Sequence, residues 1–384
     1  MENLKNKDLF LKGKNIIVAL SGGIDSVVLL HYLHTYYPDN CRAIHCNHHL
    51  SKHCTEWDEF CKNLCQKLTI PYSNVDIFIE NESNLEENAR KKRYHSLSSS
   101  LKENEVLCTA HHQNDQAETL LLQLFRGAGV AGLASMPKSK PLGNGIHYRP
   151  MLNIEKSEII QYAKDNHLSW VEDDSNANTN FRRNFLRLEI IPKLETVYKN
   201  LAKTLTRSAK HQSEALQLTQ TLAKIDTRTY QLINPNHQID IQKLTQLDTL
   251  RIKNVIRYHL ANLGFIAPAD KVMTQILNLL SAKEDANPLV NWDQFEIRRF
   301  QGQLYFIDNQ ANQNEDFCPY HAEFKKLDPL GLKKKLDESK KKLKVKTQAV
   351  SDMTKDKVKL NDTVLKQKQE IESLKKLSEE SQSD

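Results

Sequence analysis

Residues 15–20 (NIIVAL) form a short, β-branched apolar run, and Ser21-Gly22-Gly23-Ile24-Asp25-Ser26 follows at once. An unbroken apolar run of this length reads as a strand buried on both faces, which requires helices above and below it. Two adjacent glycines then let the chain turn tightly with its amides pointing inward. The helical pattern that starts at Asp25 adds unpaired N–H groups and a positive dipole end, so the turn is built to hold phosphate. Ser21 and Ser26 add hydroxyl donors, while Asp25 would repel bare phosphate unless a Mg²⁺ lay between them. The competing reading is a plain strand-to-helix turn with Ser or Asp as its cap. No Gly-Lys-Ser/Thr follows at Walker spacing, and the loop is not a Gly-x-Gly-x-x-Gly, so neither common nucleotide loop applies.

The same alternation recurs along the chain. Strand patterns at residues 42–46, 72–78 and 106–110 are separated by helical patterns at 55–68, 84–101 and 115–126. Strands alternating with helices predict an α/β, Rossmann-like fold with a parallel sheet covered on both faces. Ligands in such sheets sit beyond the carboxyl ends of the strands. Residues 21–26, 45–49 and 111–118 all fall at such ends, which makes them one candidate site.

Residues 127–145 are rich in Gly and Pro and read as loop. Helices follow at 155–166 and 181–198, separated by the polar stretch 172–180. The pattern from 201 to 280 is mainly helical with a break at 234–237, and 288–306 reads as short strands around Asp293-Gln294. The expected division is an α/β domain at 1–200, a mainly helical domain at 201–310 and an atypical segment at 311–384. That last segment is Lys-rich and carries heptad-spaced Leu336, Leu343, Val350, Val364 and Ile371. Lys346, Lys357 and Gln367 interrupt its seam, so it reads as a poor coiled-coil helix or a solvated one.

The net charge of +6 is too modest to announce nucleic acid by itself. Its distribution says more: Arg182, Arg183, Arg187, Lys193, Lys199, Lys203, Arg207 and Lys210 are opposed only by Glu189 and Glu195. Such an excess can hold phosphates, or can be a solvated helix face. No apolar run approaches the roughly 20 residues needed to cross a bilayer, and the first residues lack a signal-peptide core. With seven cysteines in no disulfide framework, these features predict a cytoplasmic protein without membrane partners.

The hexapeptide Ser21–Ser26 resembles the PP-loop of the ATP-pyrophosphatase superfamily. Those enzymes split ATP between its α and β phosphates and adenylate an oxygen of the substrate. Within that superfamily, the run Thr109-Ala110-His111-His112-Gln113-Asn114-Asp115-Gln116-Ala117-Glu118-Thr119, continuing to Arg126-Gly127, resembles the tRNA(Ile)-lysidine synthetases. So do Trp170-Val171-Glu172-Asp173-Asp174-Ser175-Asn176 with Arg183-Asn184, Arg187 and Ile191-Pro192, and Glu87-Asn88-Ala89-Arg90 with Arg93-Tyr94, and Arg149-Pro150. The resemblance is strong over the first 200 residues and weak over 201–306.

That resemblance implies a reaction. ATP adenylates the carbon-2 oxygen of the wobble cytidine in tRNA(Ile) with a CAU anticodon; the amine of free L-lysine then attacks that carbon and expels AMP. It also implies roles. Ser21, Gly22, Gly23, Ile24, Asp25 and Ser26 would bind ATP, with Asp25 on Mg²⁺. Asp115 and Glu118, three apart on one helix face, would grip the lysine ammonium, unless they serve as a capping box. His112, or His111, would meet the phosphates or the developing charge. Arg126, Arg90 and Arg93 would neutralise pyrophosphate or substrate oxygens, and Arg183 and Arg187 would meet the lysine carboxylate or a tRNA phosphate. A homodimer is left open.

The sequence departs from the family's pattern in places. Asn114-Asp115 stands where two acids are usual, His49-Leu50-Ser51 replaces Gly-Leu-Arg, and the tail does not look like the family's C-terminal domain. His45, Cys46, His48, His49, His53, Cys54, Cys61 and Cys65 invite a zinc reading, but Cys61 and Cys65 fall at helical spacing beside Phe60 and Leu64, where buried free thiols are ordinary. The rival functions are a PP-loop tRNA thiolase acting on a cytidine or uridine, against which the lack of Cys-x-x-Cys counts, an amidotransferase-linked synthetase, and a non-catalytic scaffold.

Overall fold

The computed structural model describes residues 8–47, 49, 53–77, 85–172, 177–234, 237–282 and 288–309. The expected tail, His48, Leu50, Ser51, Phe78 and Asp173 to Asn176 lie outside these. Among the described residues the strands are β1 (Asn15–Ala19), β2 (Cys41–Asn47), β3 (Tyr72–Asp76), β4 (Glu105–Cys108), β5 (Ser139–Leu142), β6 (Gly145–Tyr148), β7 (Ile239–Asp240), β8 (Leu289–Trp292), β9 (Phe295–Phe300) and β10 (Gln303–Asp308). The helices are α1 (Ile24–Tyr36), α2 (Cys54–Lys67), α3 (Leu85–Ser99), α4 (Gln113–Phe125), α5 (Val130–Leu133), α6 (Lys156–Asp165), α7 (Arg182–Phe185), α8 (Ile191–Glu195), α9 (Leu201–Thr229), α10 (Ile241–Leu244), α11 (Thr249–Asn262) and α12 (Asp270–Leu279).

Two compact units result. One holds the described residues up to Ile233 together with Gln242–Gly264; the other holds Asn234–Ile241 and the described residues from Phe265 onward. This contact division runs differently from the expected boundary at residue 200, because α9 packs on α4 through Leu121, Leu186, Ile191 and Leu201.

The first unit is built on a sheet of order β3-β2-β1-β4-β6-β5. β1 pairs in parallel with β2 and β4, β2 with β3, and β4 with β6; β5 alone runs antiparallel, at the edge. Both faces of β1 are covered: Ile16 and Val18 join Val27, Leu30, Cys61, Cys65, Ile159 and their neighbours on the side of α1, α2 and α6. Ile17 joins Ile44, Leu97, Leu101 and Leu107 on the side of α3. Burial on both sides is why Ile16, Ile17 and Val18 are all apolar, after the exposed Asn15. The chain winds outward from β1 to β3 and then returns to lay β4 on the other side of β1. The strand order therefore reverses between β1 and β4, and a crevice opens beyond their carboxyl ends.

The stretch 127–145, expected to be loop, instead contains α5, all of β5 and the start of β6. β5 is an exposed edge carrying Pro141, where a missing donor costs nothing, so neither alternation nor apolarity marks it. The helix expected at 181–198 is interrupted by a π-turn over Leu186–Ile190. Pro192, at the start of α8, cannot donate back to the preceding turn, which accounts for the change of register.

In the second unit a sheet of order β7-β10-β9-β8 is antiparallel throughout. Phe265 stacks on Phe295 with ring centroids 4.3 Å apart, and Arg299 donates to the carbonyls of Leu279 and Leu280 at the end of α12. A cation there offsets the negative end of the helix dipole.

Candidate active site

The glycine turn occupies the crevice. Gly22 sits at φ +86°, and a Cβ there would stand 2.8 Å from Val171 Cγ2 and 3.3 Å from Cys61 Sγ. Its carbonyl also accepts from Val171 N at 3.0 Å, so that neighbour cannot move away. Ser26 Oγ donates to Gly23 O at 2.9 Å and accepts from Ser21 N at 3.1 Å, with Ser21 Oγ 3.1 Å away. These bonds close the loop into a ring around the start of α1, whose first amides have no intrahelical partner. From the next strand, His45 Nδ1 contacts the Leu20 carbonyl at 2.8 Å and pins the strand exit.

Asp25, in the first turn of α1, faces two cationic or protonatable groups. Lys156 Nζ, at the start of α6, donates to Oδ1 at 2.5 Å, and His112 Nε2 lies 3.7 Å from Oδ2. Burial pushes the Asp25 carboxyl up, but the His112 contact and the Lys156 charge outweigh it and hold it below the usual value. His112 is the N-cap of α4: its Nδ1 accepts from Asn114 N at 3.2 Å, which places the ring proton on Nε2, facing Asp25 and, at 3.5 Å, Asp115 Oδ2.

Asp115 closes the helix start from the other side, its Oδ2 accepting from His112 N at 2.9 Å. The capping box thus pairs His112 with Asp115, not Asp115 with Glu118 as the alternative reading of that pair had it; α4 begins two residues earlier than its apolar pattern suggests. Asp115 Oδ1 accepts from Arg183 Nη2 at 3.0 Å and Arg187 Nη2 at 3.3 Å. Glu118, one turn on and 1% exposed, accepts from Arg183 Nε at 2.7 Å, Arg187 Nε at 2.7 Å and Arg187 Nη2 at 3.0 Å. Burial alone would raise the Asp115 carboxyl, yet His112 and Arg183 pull it down to about 2. The apolar contacts of Leu121 with Leu186 and Ile191 fix which face of the 182–195 segment meets α4, and so deliver both arginines to the two acids.

Behind this quartet lies a second network. Thr109 Oγ1 contacts His111 Nδ1 at 2.7 Å and His147 Nε2 at 2.8 Å, and His147 Nδ1 meets Arg149 Nη2 at 3.3 Å. Burial, with nearby arginines, pushes His111 down to about 3 and His147 down to about 2, so both rings are neutral at physiological pH.

All five residues expected to act in catalysis meet in one unbroken chain of contacts: Asp25 to His112, His112 to Asp115, Asp115 to Arg183, Arg183 to Glu118. Arg126 does not join them. It is the exposed C-cap of α4, roughly 16 Å along the helix from Asp115 at 1.5 Å per residue. Lys156 and His147 were not singled out in the sequence, and Thr109 entered only as the first residue of the run 109–119; a lone Lys opening a helix and a His inside a short strand carry no local signal. Among the described residues the cysteines are free thiols. Burial pushes Cys41 and Cys61 up to about 12 and Cys46 and Cys65 up to about 11. Among the described residues, no group of three or more His, Cys, Asp or Glu is placed to hold a metal.

Comparison with known proteins adds an independent line. Residues 1–194 match the PP-loop domain family, and residues 239–305 match the TilS substrate binding domain. A tRNA(Ile)-lysidine synthase of Coxiella burnetii is 41% identical over 306 residues, covering 78% of this chain and 68% of that protein. One from Legionella pneumophila (strain Lens) is 39% identical over 77% of this chain and 68% of its own length. One from Haemophilus ducreyi is 37% identical, over 80% and 72%. Among solved structures, the U34-tRNA thiolase NcsA from Methanococcus maripaludis superposes with a TM-score of 0.46 at 18% identity, over 55% of this chain and 76% of that one.

Proposed function

This chain belongs to the tRNA(Ile)-lysidine synthase family, and we propose from that premise how the chain of contacts from Asp25 to Glu118 carries out lysidine formation. The enzyme is a ligase that uses ATP to modify tRNA(Ile). The carbon-2 oxygen of the wobble cytidine in the CAU anticodon attacks the α-phosphorus, pyrophosphate leaves, and the lysine side-chain amine then displaces AMP from that carbon. The observation that carries the reading is that the phosphate-ready turn and the Asp115–Glu118 pair stand within one run of contacts through His112.

The amides of Gly22 to Ser26 cradle the phosphates, with the Ser21 hydroxyl at the rim and the buried Ser26 hydroxyl bracing the turn from within. A Mg²⁺ fits here, because that ion takes one or two carboxylates plus phosphate oxygens, and Asp25 offers the carboxylate. When bound, it would offset phosphate charge. Lys156 holds Asp25 from the other side and tempers its repulsion of the phosphates. The His112 Nε2 proton faces the point where Asp25 and Asp115 approach, so the ring orients both acids. An acid held at about 2 is a poor proton acceptor, so Asp115 acts as a fixed charge. With Glu118 it forms a buried anionic pair suited to the ammonium of free L-lysine, which would share them with Arg183 and Arg187.

Adenylation falls to the first 200 residues and tRNA handling to 201–310, a division that the substrate binding match over 239–305 supports. Work on tRNA puts the enzyme in the cytoplasm; among the described residues no helix is long and apolar enough to cross a membrane. The buried, high-pKa thiols weigh against sulfur transfer. Mass analysis of tRNA(Ile) incubated with ATP and labelled lysine tests the assignment. Label in the anticodon, with AMP and pyrophosphate released, is expected; unlabelled tRNA with ATP untouched would remove it.

A further inference from the structure

On the face of the sheet covered by α3, one aromatic ring gathers an unusual amount of positive charge. Tyr94 sits beside His147, the rings tilted by 47° with centroids 5.4 Å apart. Around that ring stand the Arg90 guanidinium at 5.3 Å, Arg93 at 5.8 Å and the Lys140 ammonium at 5.6 Å. Beneath them Arg149, 2% exposed, donates from Nη1 to the Pro137 carbonyl at 2.7 Å, while its buried Nε has no acceptor. Partial desolvation of the otherwise exposed Lys140, followed by repulsion from Arg149 and Arg90, lowers its ammonium pKa. No carboxylate among the described residues pairs with these cations, and the two histidines in their midst are neutral. Cations gathered this closely, with no paired carboxylate among the described residues, cost free energy that a bound anion would recover.

The position says which anion. Lys140 and Leu107 both pair in register with His147, and Leu107 packs under α3. The glycine turn feeds α1, which covers the opposite face. A phosphate cradled by the first amides of α1 would lie at the strand ends on the α1 side, whereas this cluster lies on the α3 side. Yet Thr109 links His147 to His111, the neighbour of His112, so the cationic cluster adjoins the reacting centre. An aromatic ring set among Arg and Lys is the arrangement that accepts a nucleic acid strand, with stacking from the ring and neutralisation from the cations.

We propose that Arg90 and Lys140, exposed beside Tyr94 and backed by the buried charge of Arg149, bind a backbone phosphate of the tRNA strand beside the nucleotide being modified. This rests on tRNA being the substrate and names where its backbone is held. Arg90 and Lys140 are exposed, so their replacement spares the core. The test is tRNA binding to the full chain without ATP, by fluorescence anisotropy across about 50 to 200 mM salt. The Arg90→Gln/Lys140→Gln variant should lower the slope of log K against log salt by about 1, the share of one phosphate. It should weaken cognate and non-cognate tRNA alike, while the KM for ATP in pyrophosphate exchange at saturating tRNA moves less than about twofold. A variant with the wild-type salt slope overturns the site while leaving lysidine formation by the wild type standing. A loss confined to the KM for ATP overturns it in favour of a nucleotide phosphate. A wild-type chain that binds no tRNA overturns both this site and the function it rests on.

Discussion

Replacing Glu118 with glutamine keeps the shape of a 1% exposed side chain and removes its charge from between two guanidiniums. Three charge-assisted bonds, at 2.7, 2.7 and 3.0 Å, are affected. Breaking a buried pair by removing one partner costs about 3–5 kcal/mol. Two features reduce that figure here. Arg187 is 38% exposed and can return to water, and Arg183 keeps Asp115 Oδ1 at 3.0 Å. The amide also retains one acceptor oxygen, which leaves about 2–3 kcal/mol. For a unit of this size that is a fall in Tm of roughly 4–12 °C, read from the melting of the first unit by circular dichroism. The same variant should raise the KM for lysine far more than the KM for ATP, because the turn and Asp25 are untouched. A Tm within about 1 °C of wild type would show that the arginines do not depend on this carboxylate. Equal rises in both KM values would mean that Glu118 only braces α4.

Other perturbations reach different parts of the site. Gly22→Ala forces a side chain to φ +86° and into Val171, a backbone cost of about 1–2 kcal/mol plus about 1–3 for the overlap, so the urea midpoint should fall and tRNA-dependent ATP–pyrophosphate exchange should vanish; wild-type exchange would show that the turn does not bind phosphate. Asp25→Asn should abolish AMP formation with little change in Tm, and normal AMP production would remove Asp25 from the mechanism. His147, pushed by burial to about 2 from about 6.5, binds its proton more readily in the unfolded chain. Its stabilising contribution is therefore complete above about pH 6.5 and declines by about 1.4 kcal/mol per pH unit below it. Between about pH 7 and 5 the wild type should lose roughly 2 kcal/mol more than His147→Asn in urea unfolding, and parallel losses would refute the burial argument.

The doubly covered sheet could be read from residues 15–20 and the strand–helix alternation, because burial on both faces leaves an apolar signature that no neighbour can mask. The β5–β6 hairpin could not. Ser139-Lys140-Pro141-Leu142 forms an edge that faces water, so its composition matches that of a loop, and only pairing with β6 makes it strand. The π-turn at Leu186–Ile190 was equally hidden. Five residues of ordinary helical composition adopt it because of Pro192 and the packing of Leu186 on Leu121.

The site shows the same division between local and tertiary information. The glycine turn declares itself, since its backbone needs are local and Gly22 cannot carry a side chain. The arginines do not: two guanidiniums one turn apart look the same whether they face solvent, a phosphate or a pair of acids. What decides is the apolar stripe beside them. Leu121 lies three residues after Glu118, and Leu186 lies between Arg183 and Arg187, so burying Leu121 against Leu186 aligns the charged rows of both segments. The contact that positions the lysine-directed acids is thus set by leucines that touch no substrate. Shortening Leu186 to alanine should accordingly loosen both arginines from Asp115 and Glu118 while leaving every charge in place.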